Sequence, residues 1–163
     1  MIAVARDVLP DLVTLVPEKR QELTTEGGLD VIRQKGHIRS TTASLKASGI
    51  PVSLFIDPDP SQIQAAADAG ADMIEIHTGA FCEAKNPVAQ KGAFSDILKA
   101  AERAKALGLG VNAGHGLCYN TIKFFAGVRT IDEFSIGHSI VARAALVGME
   151  KAVREMREMI REL

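Results

Sequence analysis

Residues 72–79 read Asp72-Met73-Ile74-Glu75-Ile76-His77-Thr78-Gly79. Strict alternation over such a stretch marks a β-strand, in which successive side chains point to opposite faces. Ile74 and Ile76 share one face; Met73, Glu75 and His77 share the other. The all-isoleucine face suits a covering layer of helices. The second face carries a carboxylate and an imidazole into a β interior, where a charge is costly unless paired or hydrogen-bonded. Two outcomes fit Glu75: a structural ion pair or strut, or a general acid/base or stabiliser of a cationic intermediate.

The same unit recurs on both sides of this strand. Short β-branched runs that end in polar or glycine-rich residues are expected as strands at 11–16, 51–56, 72–77, 110–113 and 133–136, each followed by a helix candidate. Asp59-Pro60-Ser61-Gln62 offers an N-cap, a proline at the first helical position and a glutamine at the third. Ile63, Ala66 and Ala67 recur at helical spacing, and Gly70 stops the helix. A second helix is expected from about Phe94 to Leu107, and a single last helix from about Ser139 to the chain end. Alternating strands and helices imply βα units and a parallel sheet. A repeat of roughly 30 residues fits either a (β/α) barrel or a doubly wound sheet. Small-residue-rich helices, the absence of a G-x-G-x-x-G turn and polar residues at the end of every strand favour the barrel. The expected class is α/β, a TIM-barrel type reduced to about five of eight βα units. The 163 residues are expected to form one domain, the C-terminal part of such a barrel, with Met1 to Arg6 as the end of a helix. Such a piece would expose two sheet edges and an apolar inner face.

Composition narrows the function. Apolar residues are 47% and charged residues 24% of the chain, as in globular proteins. Nineteen Lys and Arg against twenty Asp and Glu give a net charge of −1, without the basic excess a nucleic-acid binder needs. With no Trp and one Tyr, base-stacking platforms are not expected either. No apolar run is long enough for a bilayer, and no signal peptide is expected. Cys82 and Cys118 stand far apart, which excludes a disulfide framework or zinc site made by them alone and suits a reducing cytoplasm. Neither is expected to have a lowered thiol pKa; a small buried cysteine is the commoner case. His37 is expected at the surface or in packing, and Met149, Met156 and Met159 in the core or a subunit contact.

In a parallel βα array the C-terminal strand ends share one face, where sites form. Gly114-His115-Gly116 follows the fourth strand, with glycines that let a ligand approach and an imidazole that titrates near neutrality. The alternative is a loop histidine packed under a lid. Gly137-His138 sits where the fifth strand turns into the last helix, a position that can hold phosphate or simply supply a turn and a cap. Thr24 to Gly28 is long enough for a lid over the site, or is a solvated loop. Lys19 and Arg20 can meet phosphate or face water.

Taken together, these blocks resemble the pyridoxine 5'-phosphate synthase family. The likeness rests on Leu15-Val16-Pro17-Glu18-Lys19-Arg20-Gln21-Glu22 with Thr24-Thr25-Glu26-Gly27-Gly28-Leu29-Asp30, on Val52-Ser53-Leu54-Phe55-Ile56-Asp57, on Ile74-Glu75-Ile76-His77-Thr78-Gly79, on Val111-Asn112-Ala113-Gly114-His115-Gly116-Leu117 and on Ile136-Gly137-His138. It runs the length of the chain with the blocks in the family's order. The resemblance implies condensation of 1-deoxy-D-xylulose 5-phosphate with 3-amino-2-oxopropyl phosphate to pyridoxine 5'-phosphate, with loss of phosphate and water. It implies that His115 is the proton donor and that Glu75 stabilises the charged transition state. It makes Thr24 a contact to the deoxyxylulose phosphate, and Gly116, Gly137 and His138 contacts to the aminooxopropyl phosphate. It further implies small phosphorylated substrates, no metal or organic cofactor, a cytoplasmic location and a homo-octamer. The family's N-terminal part, with its Asn-Ile-Asp-His segment, a His and Arg after the second strand and a Glu on the third, has no counterpart here. Two rival readings follow: another phosphosugar barrel enzyme such as an isomerase or aldolase, for which Lys19 is the nearest Schiff-base candidate, and a barrel fragment that binds phosphate or only assembles with a partner.

Overall fold

The computed structural model describes residues 1–17 and 27–163. The strands are β1 (Val13–Leu15), β2 (Val52–Ile56), β3 (Met73–His77), β4 (Gly110–Gly114) and β5 (Glu133–Ser135). All neighbours pair in parallel, and the spatial order is β1-β2-β3-β4-β5. A doubly wound sheet reverses its strand order at a switch point; a barrel does not. Sequential order therefore assigns this sheet to the barrel class, as a partial barrel with β1 and β5 at its edges.

The helices are α1 (Ile2–Val8), α2 (Lys35–Lys46), α3 (Pro60–Asp68), α4 (Gly79–Cys82), α5 (Pro87–Ala106), α6 (His138–Val147) and α7 (Met149–Arg161). The Asp59 carboxylate accepts from the Ser61 and Gln62 amides, so α3 starts where its sequence signal says. Gln62 does not complete a capping box: its side-chain Oε1 accepts from the amides of Val31 and Ile32, and its Nε2 donates to Asp30. Helix α5 begins seven residues before the expected Phe94, because Asn86 Oδ1 caps the Ala89 amide and Pro87 occupies the first turn. No α-helix follows β4; a 3-10 turn at Ile122–Phe125 stands there instead. The single last helix is two, broken at Gly148, whose φ of 85° and ψ of 151° is backbone that essentially only glycine adopts.

Register explains the core. Val52, Leu54, Ile56, Ile74, Ile76, Val111 and Ala113 all point to the helix side and are fully buried. They meet Ile38 and Leu45 of α2, Ile63 and Ala66 of α3, and Ile97, Ala101 and Ala104 of α5 in one contiguous cluster. The inner face is not apolar, contrary to expectation. Thr14, Ser53, Glu75, Asn112, Glu133 and Ser135 lie along it with Phe55 and Met73. Every second strand residue faces inward, and in this chain those positions are mostly polar. Among the described residues, no helix is long and apolar enough to cross a membrane.

Candidate active site

The carboxyl ends of β3, β4 and β5 bring the singled-out residues to one end of the sheet. Glu75 is half-buried on the inner face, opposite Phe55 on one side and Asn112 on the other. Burial raises its carboxyl above the ordinary glutamate range, while a hydrogen bond with Ser135 and the charge of His77 act in the opposite sense. Gly114, one strand across, serves that carboxylate. A Cβ there would lie 2.2 Å from Glu75 Oε1 and 2.9 Å from the Ser135 Cβ. The first glycine of Gly114-His115-Gly116 therefore makes room for the Glu75 carboxylate.

His115 has a φ of 71°, a left-handed conformation that costs a non-glycine residue on the order of 1–2 kcal/mol. Gly116 follows at 80°, so the chain turns sharply off β4. The His115 ring packs edge-on to His77, with centroids 4.9 Å apart, and Phe55 lies 5.1 Å from His77 and 6.2 Å from His115. Desolvation lowers the His115 pKa, the charges of His77 and His138 lower it further, and Glu83 opposes them. A depressed imidazolium is a stronger acid and releases its proton more readily to a leaving oxygen.

Two groups around this cluster escape sequence reading. His77 Nδ1 lies 2.9 Å from Asp57 Oδ1, and the same oxygen accepts the Gly28 amide at 3.1 Å. Asp57 thus joins the end of β2, the backbone at Gly28 and the imidazole of β3. Gly28 must be glycine here, because a Cβ would stand 2.2 Å from the Asp57 nitrogen. Thr78, next after β3, donates its hydroxyl to the carbonyls of Gly114 and His115. A pairing across strands depends on sheet order, which no local pattern contains; the only signal was that Asp57 and Thr78 each follow a strand directly.

Gly137 and His138 open α6, both exposed, with no side chain capping that end. Ser139 Oγ donates to the Leu117 carbonyl at 2.9 Å, which ties the first turn of α6 to the loop that carries His115 and Gly116. That bond brings the chain neighbours of Gly116 and His138 together. Thr24, Lys19 and Arg20 lie outside the described residues. Cys82 is part-buried beneath this loop, its thiol pushed up by burial. Cys118 departs from expectation: burial raises its thiol, but bonds from the Thr121 side chain and the amides of Thr121 and Asn120 outweigh that and lower it. His37 is exposed on α2, as expected. Among the described residues no three His, Cys, Asp or Glu side chains converge as metal ligands would.

Residues 1–162 match the family model described as "Pyridoxal phosphate biosynthesis protein PdxJ". The chain belongs to the PdxJ family. It is 59% identical over 160 residues to the pyridoxine 5'-phosphate synthase of Desulfosudis oleivorans, covering 98% of this chain and 68% of that protein. The corresponding protein of Desulforapulum autotrophicum is 58% identical over 163 residues, with 100% and 68% covered. That of Thermosynechococcus vestitus is 52% identical, with 98% and 67% covered. The chain thus spans about two thirds of the length of these PdxJ relatives. Among solved structures, a xylose isomerase domain protein from Planctomyces limnophilus superposes with a TM-score of 0.56 at 15% identity, covering 99% of this chain and 67% of that one. A chain of the Amycolatopsis orientalis BexX/CysO complex gives 0.54 at 16% identity, with 93% and 61% covered. At such identities the likeness concerns the fold alone.

Proposed function

We propose that this chain carries the proton-donating and phosphate-holding end of a pyridoxine 5'-phosphate synthase site, within a single domain equivalent to the C-terminal part of the barrel. The reaction is the condensation of 1-deoxy-D-xylulose 5-phosphate with 3-amino-2-oxopropyl phosphate. The amine of one substrate attacks the ketone of the other, and dehydrations with loss of phosphate close the ring. Each step moves protons near neutral pH, which suits positioned imidazole and carboxylate groups. His115 protonates departing oxygens; Glu75 balances the developing iminium charge. The amides around Gly116, Gly137 and His138 hold phosphate at the start of α6. Thr24 meets the deoxyxylulose phosphate. The observation that carries this reading is the gathering of Glu75, His77 and His115 at two adjacent strands, β3 and β4, beside the open start of α6. His115→Asn and Glu75→Gln are expected to lower turnover with both substrates by at least about a hundredfold. Near-wild-type rates in both would remove the assignment.

A second reading is favoured by the open sheet, with β1 and β5 at its edges: a catalytically incomplete barrel fragment that binds phosphate or only assembles with a partner chain. Sizing chromatography with turnover measured on the same fractions separates the two. Turnover in the fraction that holds this chain alone supports the enzyme. Activity that appears only in a mixed oligomer, or never, supports the second reading. A cytoplasmic homo-oligomer is the assembly that accompanies the enzyme reading.

A further inference from the structure

Thr78 has no part in the chemistry proposed above, yet it is in contact with its backbone. The residue is completely buried between β3 and α4. Its amide donates to the Gly114 carbonyl at 2.9 Å, which extends the β3–β4 pairing by one step. Its hydroxyl lies 3.0 Å from that same carbonyl and 2.5 Å from the carbonyl of His115. Gly114 oxygen is already served by the amide, so the hydroxyl is redundant for strand pairing. Among the described residues, the His115 carbonyl has otherwise only the weak approach of the Cys82 thiol, at 3.9 Å. It also belongs to the residue whose φ of 71° needs something to hold it. The conformation fixes where the imidazole goes: turned back over the sheet, against His77. A right-handed or extended His115 would send the ring elsewhere.

We propose that Thr78 is the positioning residue for His115, its buried hydroxyl closing on the His115 carbonyl and holding that backbone left-handed so that the imidazole stays beside His77 at the mouth of the site. The inference rests on the reading of His115 as the proton donor. It differs from ordinary core packing in what it requires. Packing needs the volume of a β-branched side chain, which valine supplies; positioning needs the hydroxyl, which serine supplies.

The test compares Thr78→Val with Thr78→Ser in the isotope-labelled chain, with Thr78→Ala as a second hydroxyl-free variant should the valine protein not fold. Two spectroscopic readouts need no turnover: the strong intraresidue amide–Hα Overhauser effect that marks a left-handed residue, and the pH titration of the His115 imidazole. The charges that act on that ring are His77, His138 and Glu83. In the hydroxyl-free variant the left-handed signature is expected to vanish, and the imidazole midpoint to rise toward that of a free histidine. The serine variant retains both wild-type values. Turnover follows the same order, with kcat at least about tenfold lower without the hydroxyl, KM within about twofold, and serine restoring the rate. A hydroxyl-free variant that keeps the left-handed signature and the wild-type midpoint overturns the proposal. So does one that loses the signature with wild-type turnover. His115→Asn run in parallel separates the two layers: full turnover there overturns the proton-donor reading, and the spectroscopic comparison still decides what Thr78 holds.

Discussion

Glu75 sits where a carboxylate is least comfortable, and its neighbours are arranged around that fact. Its raised pKa means that folding takes up a proton between the ordinary glutamate value and the raised one. Stability falls as pH rises through that window, and the cost of the buried charge is fully present above it. Glu75→Gln is therefore expected to melt higher than the parent at about pH 7, with the gap closing as pH drops below the ordinary glutamate range. Thermal melts across pH check this; a glutamine variant that melts lower at neutrality would show that the carboxylate is a net structural strut. Gly114→Ala tests the same neighbourhood sterically. The new methyl meets Glu75 Oε1 at 2.2 Å, so the carboxylate must move, at a cost of about 1–3 kcal/mol in denaturant stability. Reading Glu75 as inward-facing needed only the alternation of 73–77. Reading Gly114 as its neighbour needed the register of β3 on β4, which the residues around either one do not contain.

At the scale of elements, the two ends of the strands do different work. At the amino end, two aspartates repeat one device. Asp72 accepts the Val52 amide at 2.9 Å and Lys46 at 2.6 Å; Asp132 accepts the Val111 amide at 2.8 Å and Lys105 at 2.6 Å. Each carboxylate, placed just before its own strand, fixes the neighbouring strand and the helix that precedes it. Burial raises the Asp132 carboxyl, but the bonds from Lys105 and Val111 outweigh that and hold it below the ordinary range. A depressed carboxyl contributes stability above the unfolded pKa and loses it as pH falls through the folded one. Asp132→Asn is thus expected to reduce stability by about 1 kcal/mol near neutral pH, with the difference shrinking in acid. Chemical denaturation at two pH values measures it. Gly148→Ala probes the junction of α6 and α7, where φ is 85°; the cost is expected at about 1–3 kcal/mol. The sequence showed an apolar helical pattern continuing through Gly148, and periodicity alone has no means of registering a backbone angle between two helices that share it.

For the molecule as a whole, strand positions, helix layer and barrel class were legible because they follow from period-2 runs, caps and the βα repeat. The Asn86-Pro87 start of α5 was not, because the apolar spacing that marks the helix begins at Phe94. Nor was the 3-10 turn after β4, since Thr121 and the Cys118 loop take up the length a helix would need. The site was readable as a set of strand ends but not as a set of contacts: Asp57 with His77, Thr78 with His115, and Ser139 with Leu117 all join different βα units. If those contacts make one pocket, one ligand perturbs all of its residues together. Titration of the isotope-labelled chain with pyridoxine 5'-phosphate, followed at the amides of Gly116, Gly137 and His138 and at the ring of His115, tests it most directly. A single saturating curve shared by all four is the expected result. Shifts confined to one of them, or scattered over distant surface amides with unrelated midpoints, would contradict it.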